Sequence, residues 1–242
     1  MKPSLFIATL FAISLMASPS FAQAPSATAS AASIPSDSPK AAAATSTTTT
    51  TSSTTMAPGQ MTEADMQKMM AQMMELAKTG ENHKLLAGLV GDWTYTVKMW
   101  MNPDPNAKPE ESKGTASRKA VLDGHYFLVD VNGKMQMPGP DGKPKDMDFK
   151  GMSIEAYNNV TKKFEATWCD NMGTAIFMSQ GTYDPATKTF TYTGEMEMIP
   201  GMKQKVRETV KWIDADHHLF EWYEDRGGKE AKTMEIAYTR KK

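Results

Sequence analysis

Cysteine is nearly missing from this chain. Cys169 is the only one in 242 residues, so no disulfide can form within the chain and the fold must rest on its core, even in an oxidising compartment. Net charge is nearly missing too: 27 Lys and Arg stand against 28 Asp and Glu, with the two signs interspersed, for a total of −1. A surface of that kind gives no electrostatic reason to expect nucleic acid or an anionic membrane as partner. Beyond the N-terminus, no stretch approaches the roughly 20 consecutive apolar residues that a membrane helix requires. The histidines His83, His125, His217 and His218 have no metal-ligand spacing. Nucleophile elbows, P-loops and dinucleotide fingerprints are all missing, so nothing argues for an enzyme and no cofactor is required.

What is present begins with an address. Lys2, the apolar run LFIATLFAISLMA and then Ser20-Phe21-Ala22 make a charged start, an apolar core and a small-x-small cleavage site. Residues 1–22 are therefore expected to be a signal peptide. No cysteine lies near the cleavage site to take a lipid anchor, so the mature chain is expected to be free in the periplasm or secreted. Residues 23–60 are mostly Ala, Ser, Thr and Pro, including TSTTTTTSSTT, with no aromatic residue and almost no charge. A segment of that composition cannot bury enough apolar surface to offset its ordering entropy, and it reads as a disordered tether.

At Thr62 the pattern changes. Thr62 with Asp65 three residues on forms a capping-box-like start, and Met66, Met69, Met70, Met73 and Met74 follow at helical spacing up to a stop at Gly80. The spacing predicts a methionine-rich amphipathic helix within residues 61–80. Thioether sulfur is a soft Cu(I) ligand, so Met66, Met69, Met70 and Met73 are candidate metal ligands. The plainer expectation is a helix that docks on the domain through flexible apolar side chains, since no His or Cys lies within the run.

Residues 81–242 read as strands. The sequence HKLLAGLVGDW makes a short apolar turn into the alternating run GDWTYTVKMWM, where Trp93, Tyr95, Val97, Met99 and Met101 share one face. Further strands are expected at 114–122, 125–136, 147–157, 162–170, 173–183, 188–198, 204–213, 217–225 and 230–240. Alternation is clear where Phe190, Tyr192 and Gly194 oppose Thr191 and Thr193, and where Val206, Val210 and Trp212 oppose Lys205, Arg207 and Lys211. It is ambiguous at 147–157, because Phe149 and Tyr157 share a face with Glu155 while Met152 and Ile154 share the other.

Ten antiparallel strands without a crossover helix most simply close into an up-and-down barrel, which removes exposed edges and can leave an internal cavity. Counting along the meander sorts its links by end. Asp123-Gly124, Asn158 to Thr161, Asp184 to Thr187 and Asp214 to Asp216 are tight turns at one end. NPDPNAKPEES, PGPDGKPKD, the corner at Asp170, Pro200-Gly201 and Arg226-Gly227-Gly228 lie at the other, which is the expected mouth.

The blocks HKLLAGLVGDW, IEAYNNVTKKFEATWCDNMGTAIFMSQGTYD and MEIAYTRKK occur in an order that resembles the bacterial "domain of unknown function 1579" family over about residues 82–242. The resemblance implies a lipocalin-like or nitrobindin-like barrel and no settled activity. Where the family pattern often has Gly-Tyr-Asp, this chain has Ala156-Tyr157-Asn158. A haem site like that of nitrobindin would need an inward histidine, for which His125 shares the face of Phe127 and Val129.

The sharpest candidate site is an aromatic wall with an acid at its rim: Phe164, Ala166 and Trp168 on one face, ending at Asp170. The plainer role for Asp170 is to cap its own turn. With Trp93, Tyr95, Tyr192 and Trp212, these residues are the expected lining for a small apolar or amphipathic ligand. Glu155, Glu208 and Glu235 could face inward but are expected at the surface, and Cys169 has no flanking base and is expected to be inert. The alternatives are copper handling by the methionine helix and a filled barrel with a structural role.

Overall fold

The computed structural model describes residues 61–242 apart from 103, 105 and 139–142. The expected signal peptide and tether, and residues 139–142 of the PGPDGKPKD loop, thus lie outside the described residues. The described residues fall into two units, 61–69 and 70–242.

The first helix, α1, runs Glu63–Leu76. Its start is capped as expected: Asp65 N donates to Thr62 Oγ1 and Thr62 N donates to Asp65 Oδ2, both at 3.2 Å. No residue of α1 is buried, and Met70, Met73 and Met74 are more than half exposed. The expected docking through a methionine face is therefore not seen, because none of these side chains is buried.

The apolar turn expected after Asn82 is a second helix, α2, Glu81–Ala87. His83 folds back so that its Nδ1 accepts from Gly80 N at 3.1 Å. Leu86 and Leu89 turn inward and are almost wholly buried.

Ten strands follow: β1 Gly91–Met99, β2 Glu110–Val121, β3 Tyr126–Pro138, β4 Pro144–Asn158, β5 Lys163–Asp170, β6 Phe177–Asp184, β7 Thr189–Ile199, β8 Met202–Trp212, β9 His217–Asp225 and β10 Glu230–Arg240. Each pairs antiparallel with its neighbours in sequence, and β1 pairs with β10, so the sheet closes into a barrel. The largest differences from the expected boundaries are at the starts of β2 and β6. Glu110 to Lys113 extend β2 against β1, and the corner after Asp170 runs on to Ile176.

Register fixes the inner wall. Trp93 pairs with Ala116 and Tyr95 with Gly114. Arg118 pairs with Val129, and Phe127 with Glu155. Gly181 pairs with Tyr192, Tyr192 with Glu208, and Glu208 with Trp222. Directly paired residues share a face, so these side chains all point inward.

The tight-turn end is plugged. Leu86 of α2 and Leu89 just after it pack with Phe127, Phe164, Phe190 and Tyr192 in one buried cluster. Arg240 clasps this end: its guanidinium donates to Gly88 O at 3.0 Å, Val90 O at 2.6 Å and Ala215 O at 3.0 Å, and stacks 4.1 Å over the Trp93 ring.

Further up, the wall is thinned by glycine so that rings can lie flat on it. A Cβ at Gly114 would sit 2.3 Å from the Tyr95 ring, and one at Gly151 would sit 2.4 Å from Trp168. Toward the mouth the inward residues Val97, Trp168, Phe220, Trp222 and Ile236 are only half-buried. In a closed barrel an inward side chain reaches solvent only through an end, and α2 blocks the other one.

Candidate functional site

A charged cluster sits inside the barrel. Arg118 of β2 donates from Nη2 to Glu155 Oε1 of β4 at 2.6 Å, and both side chains are largely buried. The other terminal nitrogen of Arg118, Nη1, is buried with no hydrogen-bond partner among the described residues. Across the interior stands Glu208 of β8, 8 % exposed, with Ser179 of β6 as its hydrogen-bond donor. Burial pushes the Glu208 carboxyl up to about 7, the charge of Glu155 pushes the same way, and the Ser179 hydrogen bond opposes both. Burial also raises Glu155, and the adjacent Arg118 guanidinium offsets part of that rise. Tyr192 and Tyr238 feel the same charges, and burial holds both phenols above their ordinary range.

Expectation and structure part company here. Glu155 and Glu208, expected at the surface, are interior residues, while Glu235 is outside and lies between Lys98 and Lys232. The ambiguous alternation of β4 resolves against its aliphatic face: Met152 and Ile154 are exposed, whereas Gly151 and Ser153 are buried. Arg118 was missed altogether. Its signal was a lone Arg in phase with Gly114 and Ala116 on the face that pairs with Trp93 and Tyr95.

The histidines differ as well. His125 is at the surface, bonded to Leu122 O at 2.8 Å and Ala77 O at 2.7 Å, so it is not the inward histidine. His218, at the start of the strand expected over 217–225, is in β9 and 6 % exposed, stacked on Tyr238 with ring centroids 4.4 Å apart and edge-on to Trp93. Its Nδ1 is buried without a partner. Burial, with Arg118 and Arg240 nearby, lowers its imidazole to about 3, so the ring is neutral.

A run of residues 78–240 matches the family described as "Protein of unknown function (DUF1579)". The chain belongs to the DUF1579 family. This DUF1579 protein is also similar to the solved structure of Rv2717c from M. tuberculosis, at 13% identity, with 68% of this chain and 100% of that chain covered and a TM-score of 0.46. A search of curated proteins gives no match.

In this DUF1579 barrel the expected lining residues divide by height. Trp93 and Tyr95 are buried in one cluster with Val129 and Val131, and Phe164 and Tyr192 in the other with Leu86. Trp212 packs against the plug and leaves its Nε1 buried without a partner. Trp168 stacks on Phe149, at a centroid distance of 6.3 Å, nearer the mouth. Its Nε1 donates to Asp170 Oδ2 at 2.8 Å, and Asp170 Oδ1 accepts from Met172 N at 2.9 Å. Asp170 thus both closes its turn and holds the Trp168 ring. Cys169 faces outward, 3.8 Å from Met152 O.

Two surface clefts lie elsewhere on the DUF1579 domain. One, of about 400 Å³, is an open groove along β3, β4 and β5 that includes Asp130, Lys150, Met152 and Cys169. The other, of about 290 Å³, is beside the plug and includes Trp93, Trp212, His218 and Arg240. Among the described residues no cluster of His, Cys, Asp and Glu could hold a metal ion, and no helix is long and apolar enough to cross a membrane.

Proposed function

We propose that this protein is exported and binds a small amphipathic molecule inside the barrel, with the ligand's polar end on the interior charged cluster and its apolar body against the aromatic wall toward the mouth. The observation that carries this reading is the Arg118–Glu155–Glu208 cluster. Burying one guanidinium and two carboxyls costs several kcal/mol per ion before pairing, and apolar residues of similar volume would make a more stable core. Arg118 Nη1 without an acceptor adds to that cost. Groups so arranged are explained by a ligand that completes them. Half-buried Trp168, Phe220, Trp222 and Ile236 supply apolar surface on the side reached through the mouth.

Native mass spectrometry of the mature protein, taken gently from its own compartment, tests this. An organic adduct that survives replacement of Met66, Met69, Met70 and Met73 by Leu is the expected result. A bare protein whose melting temperature is indifferent to every amphiphile added would refute the reading and leave a filled barrel with a structural role.

Copper handling by α1 is the second reading. The exposure of Met66, Met69, Met70 and Met73 favours it, since sulfurs that cover no core are free to take a soft metal. Copper-sized adducts lost in the Leu variant would establish it.

A further inference from the structure

Resting on the proposed ligand site, the geometry points to an organic cation as its occupant: an apolar or aromatic amine whose ammonium group pairs with Glu208 among aromatic faces. Charge comes first. The enclosed cluster holds Arg118 against Glu155 and Glu208, and Arg118 is committed to Glu155 at 2.6 Å. Glu208 has no ion-pair partner among the described residues, and its single side-chain donor is Ser179. With both carboxyls ionised the cluster is one positive charge short of neutrality. An anionic ligand would deepen that imbalance, a neutral one would leave it, and a cation would remove it.

The surroundings of Glu208 fit a cation as well. Its cross-strand neighbours on the inner face are Tyr192 of β7 and Trp222 of β9. Phe177 of β6 approaches Trp222 with ring centroids 5.4 Å apart. Aromatic faces around a carboxylate are the chemistry that holds an ammonium group, through the ring quadrupoles and a charge-assisted hydrogen bond. The carboxyl is already desolvated by the fold, so the ligand meets a partner whose dehydration cost is spent in folding. The buried Nη1 of Arg118, without a hydrogen-bond partner among the described residues, is a donor for an oxygen elsewhere on the ligand.

The groups facing Glu208 are Glu155 from β4, Ser179 from β6 and Tyr192 from β7, with Trp222 from β9 bringing no ionisable group and Arg118 from β2 held on Glu155. A cation must displace the Glu208 proton, so its affinity rises with pH through the range in which this carboxyl ionises, near 7. Between pH 6 and pH 8 the ionised fraction grows roughly tenfold.

Isothermal titration of the full chain with octylammonium, 1-octanol and octanoate, equal in chain length, is the test. Octylammonium is expected to bind about tenfold or more tighter than octanol at pH 8, to lose about tenfold at pH 6 while octanol does not change, and octanoate to bind weakest. Glu208→Gln should bring octylammonium down to octanol and remove its pH dependence. Should Glu208→Gln fail to fold, the pH profile of the unaltered protein decides, and a flat octylammonium profile overturns the inference. Octanol bound as well as octylammonium would overturn it while the amphiphile barrel stands. Octanoate bound tightest, and lost in Arg118→Met, would assign an anion to Arg118 instead. No binding of any of the three would overturn the proposed ligand site itself.

Discussion

Arg118→Met should unmask the cost of the interior charge. Methionine keeps most of the aliphatic volume but leaves Glu155 buried with no counter-charge, beside Glu208. Glu155 then escapes by holding a proton throughout the folded state. At pH 7, keeping a proton on a carboxyl whose ordinary value is 4.5 costs about 3 kcal/mol, from 1.36 kcal/mol for each pH unit above that value. At pH 5 the same arithmetic leaves less than about 1 kcal/mol. The sign follows from proton counting: a raised carboxyl binds more protons folded than unfolded, so stability falls as pH rises above 4.5. Urea unfolding followed by tryptophan fluorescence, at pH 5, 6 and 7, gives the loss relative to the unaltered protein. Arg118→Met with Glu155→Leu should recover most of it at pH 7, because the stranded charge is gone. An Arg118→Met loss that is equal at pH 5 and pH 7, or no loss at all, would refute the account of a mutually dependent buried pair.

The same proton counting applies to Glu208 in the unaltered protein: its rise from 4.5 to about 7 removes up to about 3 kcal/mol as pH climbs through that window, and Glu208→Gln should flatten the stability profile there. Gly114→Ala forces a Cβ to 2.3 Å from both Asn132 O and the Tyr95 ring, so a loss of about 1–3 kcal/mol in urea unfolding is expected. Arg240→Met removes three hydrogen bonds to backbone carbonyls and the contact with Trp93, with an expected loss of about 3 kcal/mol read the same way. Replacing Met66, Met69, Met70 and Met73 by Leu should change urea stability by less than about 0.5 kcal/mol, because none of the four is buried.

The barrel was legible from sequence because its two signals are local. Alternation marks each strand, and Asp, Asn, Gly and Pro mark each turn, so ten strands and their order could be placed without a single long-range contact. The charged interior was not legible, because it is made by register. Arg118 meets Glu155 across 37 residues of chain, and nothing near either residue tells which charges on which strands will face one another. The face of β4 was ambiguous for a physical reason: Met152 and Ile154 look like core and are exposed, while Gly151 and Ser153 look like surface and are buried, with the Trp168 ring lying on Gly151. His218 was hidden by its place beside a turn, where a polar residue is unremarkable, and Trp93 and Tyr238 bury it only once β1, β9 and β10 are side by side. Asp170 was placed at the loop-rich end by counting alone, and there its two oxygens divide between Trp168 and the turn.

The Arg240 clasp sets a timetable. The seam between β1 and β10 joins Trp93 to Arg240, and the guanidinium that fastens α2 to the floor belongs to that same residue near the end of the chain. A ribosome delivers β1 first and β10 last, so for most of synthesis β1 has β2 on one side and an open edge on the other. Ring closure and the fastening of the floor therefore both wait for β10, because one residue serves the seam and the clasp.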